Sequence, residues 1–216
     1  MSVVYNGAIN LQKLRHYFDL NNTKSYTTGA TMKDLITGSQ GTNGIANASA
    51  SWMNSGVYAI TITAVVKRLT AISSYSVNPF TKYTNTTDNT FNLYMFGNNS
   101  GTAPGDDGRL GFYSNLNGGW QSVATQYGCA LNETVIYTLQ FNTVNGGQTW
   151  ANTTKLGSRG NGGRLGSVGN TSSLFVASPT YSSALRLEAA LIYDRELSDQ
   201  EILSNSISLK SRYGIA

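Results

Sequence analysis

The sequence predicts an all-β protein, a two-sheet antiparallel sandwich or jelly roll closed by one short C-terminal helix. Three observations predict it. Short alternating segments recur with Gly/Asn turns between them, the pattern of many brief strands. Charged residues make up only 12% of the chain, while Asn numbers 22 and Gly 23. That composition suits tight turns, where Asn and Gly tolerate positive φ, and does not suit long solvated helices. One segment, at the C-terminal end, carries a full set of helix start and stop signals.

The strands follow in order. VYAITITAVVKRL, from Val57 to Leu69, offers Val57, Ala59, Ile62, Ala64 and Val66 for burial. FNLYMFG (Phe91 to Gly97) follows a Thr/Asn stretch. RLGFYS (Arg109 to Ser114) alternates into a Leu-Asn-Gly-Gly turn, and Trp120 to Gln126 returns as its hairpin partner. TVIYTLQFN (Thr134 to Asn142) is the strongest strand by composition, and Asn145-Gly146-Gly147 turns it into QTWAN. Gly163 to Gly169, Leu174 to Ala177 and Leu185 to Tyr193 complete a set of about nine strands. In the last of these, Leu185, Leu187, Ala189, Leu191 and Tyr193 alternate onto one face, and Arg186, Glu188 and Asp194 onto the other.

The helix follows at once. Ser198 is its N-cap and Glu201, three residues on, completes a capping box, with Leu197 and Ile202 placed as a hydrophobic staple. Lys210 and Arg212 fall in the last turn, where cations favour the dipole, and Gly214 is a left-handed stop. The helix is expected to lie across an edge or end of the sandwich on Ile202, Leu203, Ile207 and Leu209.

At 216 residues the chain can bury a substantial core. The net charge of +4 is scattered, with no basic patch, so nucleic acid is not an expected partner. The single cysteine, Cys129, reads as a small buried thiol, and one Cys with one His excludes a Cys/His metal site and a disulfide framework. The most apolar run, Val57 to Val66, is ten residues, short of the ~20 that span a bilayer, and the N-terminus shows no signal-peptide core, so membrane insertion is not expected.

Candidate chemistry is sparse. Glu133, Glu188, Glu196 and Glu201 form no Glu-x-Asp-x-Glu array of the kind that aims paired carboxylates into one cleft. His16 has no nucleophile motif beside it and reads as structural. The Gly-rich stretch Lys155 to Gly169, with Arg159 and Arg164, lacks the phosphate-loop signature and reads as a long hairpin. Asp106 and Asp107 in APGDDGR are two hard oxygen donors, the one candidate for Ca²⁺, but the ion wants about six ligands, which favours a turn; no other cofactor is expected. The best binding case is aromatic. Trp52, Tyr113 and Trp120 sit at or near Asn-rich loops such as SNLNGGW, which contains Asn117. Rings pack on the C–H faces of sugars while amides bond their hydroxyls; the competing reading is structural, since a sandwich core also takes large aromatics and Trp120 is placed to begin an inward-facing strand.

The two ends of the chain carry a resemblance. Tyr193, Asp194, Arg195, Leu197, Ser198, Glu201, Ile202, Leu209, Lys210, Ser211, Arg212, Tyr213, Gly214 and Ile215, with Asp19, Asn22, Ser25, Tyr26, Asp34, Leu35 and Gly38 near the start, resemble the closing and opening motifs of laminin-G-like, concanavalin-A-like jelly-roll modules of phage and bacterial surface proteins. The usual tryptophan before Asp34-Leu35 is absent; Met32 and Lys33 stand there. The resemblance implies an apolar opening strand and one domain over 14–216 after an N-terminal arm of 1–13. It also implies a non-enzymatic virion protein, a capsid decoration or accessory protein on the particle surface after synthesis in the host cytoplasm. Its partners would be virion proteins or further copies of itself, contacted through an apolar edge or the arm. The alternative is a glycan-binding, receptor-binding module of a phage tail or bacterial surface, with Trp52, Tyr113, Asn117 and Trp120 as its site.

Overall fold

In the computed structural model, the turn-punctuated segments form two stacked antiparallel sheets. The structure describes residues 9–19, 22, 32–36, 40–41, 58–70, 77–82, 91–96, 108–116, 119–160, 162–163, 165, 174–176 and 185–216. The strands are β1 (Leu14–Asp19), β2 (Met32–Lys33), β3 (Gln40–Gly41), β4 (Ala59–Arg68), β5 (Val77–Lys82), β6 (Phe91–Phe96), β7 (Arg109–Leu116), β8 (Gly119–Ser122), β9 (Tyr127–Gly128), β10 (Thr134–Asn142), β11 (Gly146–Ala151), β12 (Thr154–Leu156), β13 (Leu174–Val176) and β14 (Leu185–Tyr193), followed by helix α1 (Asp199–Tyr213). The first sheet has the order β1-β14-β4-β10-β11-β12; the second has β13-β5-β6-β7-β8, with β9 also on β7; β2 and β3 form a small separate pair. This is the jelly-roll-type sandwich that the turn pattern predicts. The stretch Gly163 to Gly169 contributes only an isolated bridge at Leu165 among its described residues.

The core between the sheets comes from alternation. Ile60, Ile62, Ala64 and Val66 of β4 and Val135, Tyr137, Leu139 and Phe141 of β10 meet Leu110 and Phe112 of β7. Phe112 and Tyr137 stack across the layers with centroids 5.1 Å apart, a geometry aromatic pairs favour. Cys129 is buried in the same core, and burial pushes its thiol up to about 12.

The other face of the first sheet is buried too, because α1 lies flat on it. Val65, Ile136, Trp150, Ala189, Leu191 and Tyr193 pack there against Leu197, Ile202 and Leu209. The helix therefore covers a sheet face rather than an edge or end, and Ile207, expected at the contact, is 55% exposed. Ile202, Asn205, Ser206 and Leu209 make the buried stripe, the i, i+3, i+4, i+7 spacing of a helix face. Polar residues on this covered sheet face serve the chain entering the helix. Thr61 Oγ1 donates to Arg195 O at 3.0 Å and accepts from Leu197 N at 2.8 Å, and Gln140 Nε2 donates to Leu197 O at 2.7 Å.

One device feeds both layers. A β-bulge between Leu187 and Ala189 shifts the register of β14 on β4. The extra residue moves every later side chain to the opposite face. Leu185 and Leu187 join the inter-sheet core along with Ala190 and Ile192. Ala189, Leu191 and Tyr193 face the helix. The single-face alternation expected for this strand is thus corrected. Glu188, expected on the polar face of this strand, is only 6% exposed and pairs with Arg186 at 2.5 Å.

The helix ends match the sequence signals. Ser198 accepts from Glu201 N, the reciprocal bond is present, and Gly214 takes φ 61° while its N–H donates to Lys210 O. The segment before β1 is tied to the same helix: Asn10 N donates to Asn205 Oδ1 at 2.9 Å and Tyr193 Oη donates to Asn10 O at 2.9 Å.

Candidate functional site

The two outer faces of the sandwich differ. That of the first sheet lies under α1. That of the second is read from β7, where Leu110, Phe112 and Ser114 are fully buried. By the period of two, Arg109, Gly111 and Tyr113 fall on the opposite face. Arg109 is exposed and Tyr113 half-buried.

Tyr113 is held by a residue from outside its own strand. Gln126 Nε2 donates to Tyr113 Oη at 2.6 Å. Gly111, between Arg109 and Tyr113, makes room for this: a Cβ there would stand 3.1 Å from both Gln126 Cγ and Tyr113 Cε2. Gln126 reaches Tyr113 because the segment between β8 and β9 dips into the sandwich. Val123 N donates to Phe112 O at 2.9 Å, and Thr125 O accepts from Tyr137 Oη at 2.9 Å and Thr149 Oγ1 at 2.6 Å. The dip crowds the chain beyond β12. A Cβ on Gly160 would meet Val123 O at 2.1 Å, so only glycine fits.

Of the sequence-predicted binding residues, Tyr113 is therefore in the described face. Trp120 lies on β8 in register with Asn115, two positions from the pairing of Tyr113 with Ser122. Directly opposed residues of an antiparallel pair share a face, so the backbone places positions 113, 115, 120 and 122 together. Trp52, Asn117, Asp106 and Asp107 lie outside the described residues, as does Arg164. Gln126 and Arg109 were not predicted. For Arg109 the available signal was a cation two residues before a glycine, with an aromatic two residues after that glycine.

The remaining candidates have structural duties. His16 is buried, its Nδ1 is 2.7 Å from Asp34 Oδ2, and it stacks on Phe18. Asp34 Oδ1 accepts from Tyr17 N at 3.0 Å and Leu35 N donates to Tyr17 O at 2.8 Å. Asp34-Leu35 thus satisfies backbone groups of the edge strand β1, which would otherwise be open to pairing. Arg159 donates to Gly146 O at 3.1 Å and pairs with Glu196 at 2.6 Å. Glu133 accepts from Tyr127 Oη and Ala130 N, both at 2.6 Å. Glu201 accepts two bonds from Arg195, at 2.7 and 2.9 Å, and this pair holds its carboxyl down at about 2. Each of the four glutamates is engaged inside the protein. Among the described residues no group of three or more His, Cys, Asp or Glu is placed to hold a metal ion, and no helix is long and apolar enough to cross a membrane.

No family model matches the chain, and no curated protein matches it. Solved structures do resemble it. The sialidase of Trypanosoma rangeli superposes with a TM-score of 0.62 at 13% identity, over 94% of this chain and 34% of that one. The same enzyme in complex with sialic acid gives 0.59 at 12% identity, over 94% and 34%. The binding domain of botulinum neurotoxin serotype G gives 0.54 at 15% identity, over 77% and 40%. The chain spans about a third of the sialidases it matches. At these identities the likeness is one of fold, and the chain is a jelly-roll-type β-sandwich with one C-terminal helix.

Proposed function

We propose that this chain is a non-catalytic glycan-binding module whose ligand lies on the outer face of its second sheet. The observation that carries this reading is the Tyr113–Gln126 pair. A half-buried ring, fixed by an amide from a neighbouring segment, stands on the sheet face that α1 does not cover. A fixed ring presents an apolar surface to sugar C–H groups at little entropic cost. Carboxamide and phenol supply donors and acceptors for hydroxyls. The internal engagement of all four glutamates supports a binding rather than a hydrolytic role. The fold is shared with a sialidase solved with sialic acid and with a neurotoxin binding domain, which agrees with this reading without carrying it.

Screening the purified protein against a broad glycan panel tests it. Binding in the micromolar-to-millimolar range is expected, weakened about tenfold in Tyr113→Ala and in Trp120→Ala, with circular dichroism unchanged. Absence of binding to every glycan, or full binding by Tyr113→Ala, contradicts it. Capsid decoration rests on the sequence resemblance alone and concerns where the module is displayed. Antibody labelling of phage particles addresses that: label on the head or tail supports display on a virion, and unlabelled particles contradict it.

A further inference from the structure

Resting on that reading, we infer that the ligand is an acidic glycan and that Arg109 takes its anionic group. Three observations converge. Arg109 is exposed and starts the strand that carries Tyr113. Four steps along the strand separate them, about 13 Å at ~3.3 Å per residue. That span exceeds one pyranose ring, so Arg109 and Tyr113 would contact different units of one oligosaccharide. Between them Gly111 adds no side chain of its own, and the space above it holds Gln126. The row thus reads cation, amide, ring along one strand face. The chain carries a net charge of +4, which attracts anions to it.

Arginine suits the task because its planar fork matches a carboxylate or sulfate bidentately. Arg109 also interacts within the protein; on this inference its guanidinium, which carries five donors, holds the ligand's anion in addition to that partner. The anionic group is either a uronic-type carboxylate or a sulfate ester; both present oxygens to the same fork.

The test titrates the whole chain with alginate (carboxylated), dextran sulfate (sulfated) and dextran (neutral). Wild type and the variants Arg109→Gln, Tyr113→Ala and Lys13→Gln are compared at low and moderate salt. Lys13 is exposed beside the first sheet and serves as the distant cation. At least one charged polymer is expected to bind about tenfold tighter than dextran, a preference lost in Arg109→Gln and kept in Lys13→Gln. Tyr113→Ala should weaken charged and neutral ligands alike. Which charged polymer wins identifies the anionic group. Equal losses in Arg109→Gln and Lys13→Gln would reduce the effect to general charge attraction and overturn the inference. Binding of neutral glycans with neither charged polymer preferred would overturn the acidic class while leaving glycan binding intact. Failure to bind any glycan would overturn both.

Discussion

Glu201 shows how much one side chain can organise. Its carboxylate accepts from Ser198 N at 2.8 Å, from Asn10 Nδ2 at 2.5 Å and from both terminal nitrogens of Arg195. It caps the helix, anchors the chain before β1 and neutralises an arginine. Glu201→Ala should cost about 2 kcal/mol in urea unfolding, the sum of a lost cap and donors left without a partner. Its pH dependence follows from the sign of the shift. The folded carboxyl is held at about 2, below its ordinary 4.5, chiefly by Arg195. Its stabilisation is therefore whole above about pH 4.5 and fades as pH falls toward 2. The stability gap between wild type and Glu201→Gln should shrink across that window. A gap constant from pH 6 to pH 2 would contradict this. The Ser198–Glu201 box and the Gly214 stop were readable in sequence because capping chemistry is local, with both partners within four residues. The same carboxylate's bond to Asn10 was not, since it links positions 191 residues apart.

At the scale of elements, the bulge in β14 decides where the apolar residues go. One extra residue lets a single strand fill the inter-sheet core with its first half and the helix contact with its second. Deleting Glu188 should leave Leu191 and Tyr193 facing the wrong layer and yield unfolded or aggregated protein. Glu188→Ala should cost only about 1 kcal/mol, because the insertion and not the carboxylate sets the register. A folded, soluble deletion variant would contradict this assignment. Strand limits were legible where composition was strong, as in Thr134–Asn142, whose bounds match the expectation. A bulge leaves no mark in a sequence, because it is defined by the register of a partner strand. The helix's place on β4 and β10 was half legible. VYAITITAVV reads as a nearly continuous apolar run, the pattern of a strand buried on both faces, interrupted only by the threonines at 61 and 63. They are buried, and their hydroxyls bond the helix entry and Thr138.

For the whole molecule, the placement of α1 makes the two outer faces unlike. One is sealed by the helix, and the other carries Arg109, Tyr113 and Gln126. Tyr113 is a candidate in the sequence because an aromatic beside Asn-rich loops fits sugar chemistry, and the structure adds its place on this face and its bond to Gln126. Gln126 could not, because its approach depends on the inward dip at Val123–Thr125 and on the absence of a Cβ at Gly111. The most direct measurement is amide chemical-shift mapping of the isotope-labelled protein titrated with a glycan that it binds. The account predicts perturbations along residues 109–116 and at Gln126, with α1 unmoved. Perturbations centred on α1, or on the face of the first sheet beneath it, would contradict the assignment of the second sheet as the binding face.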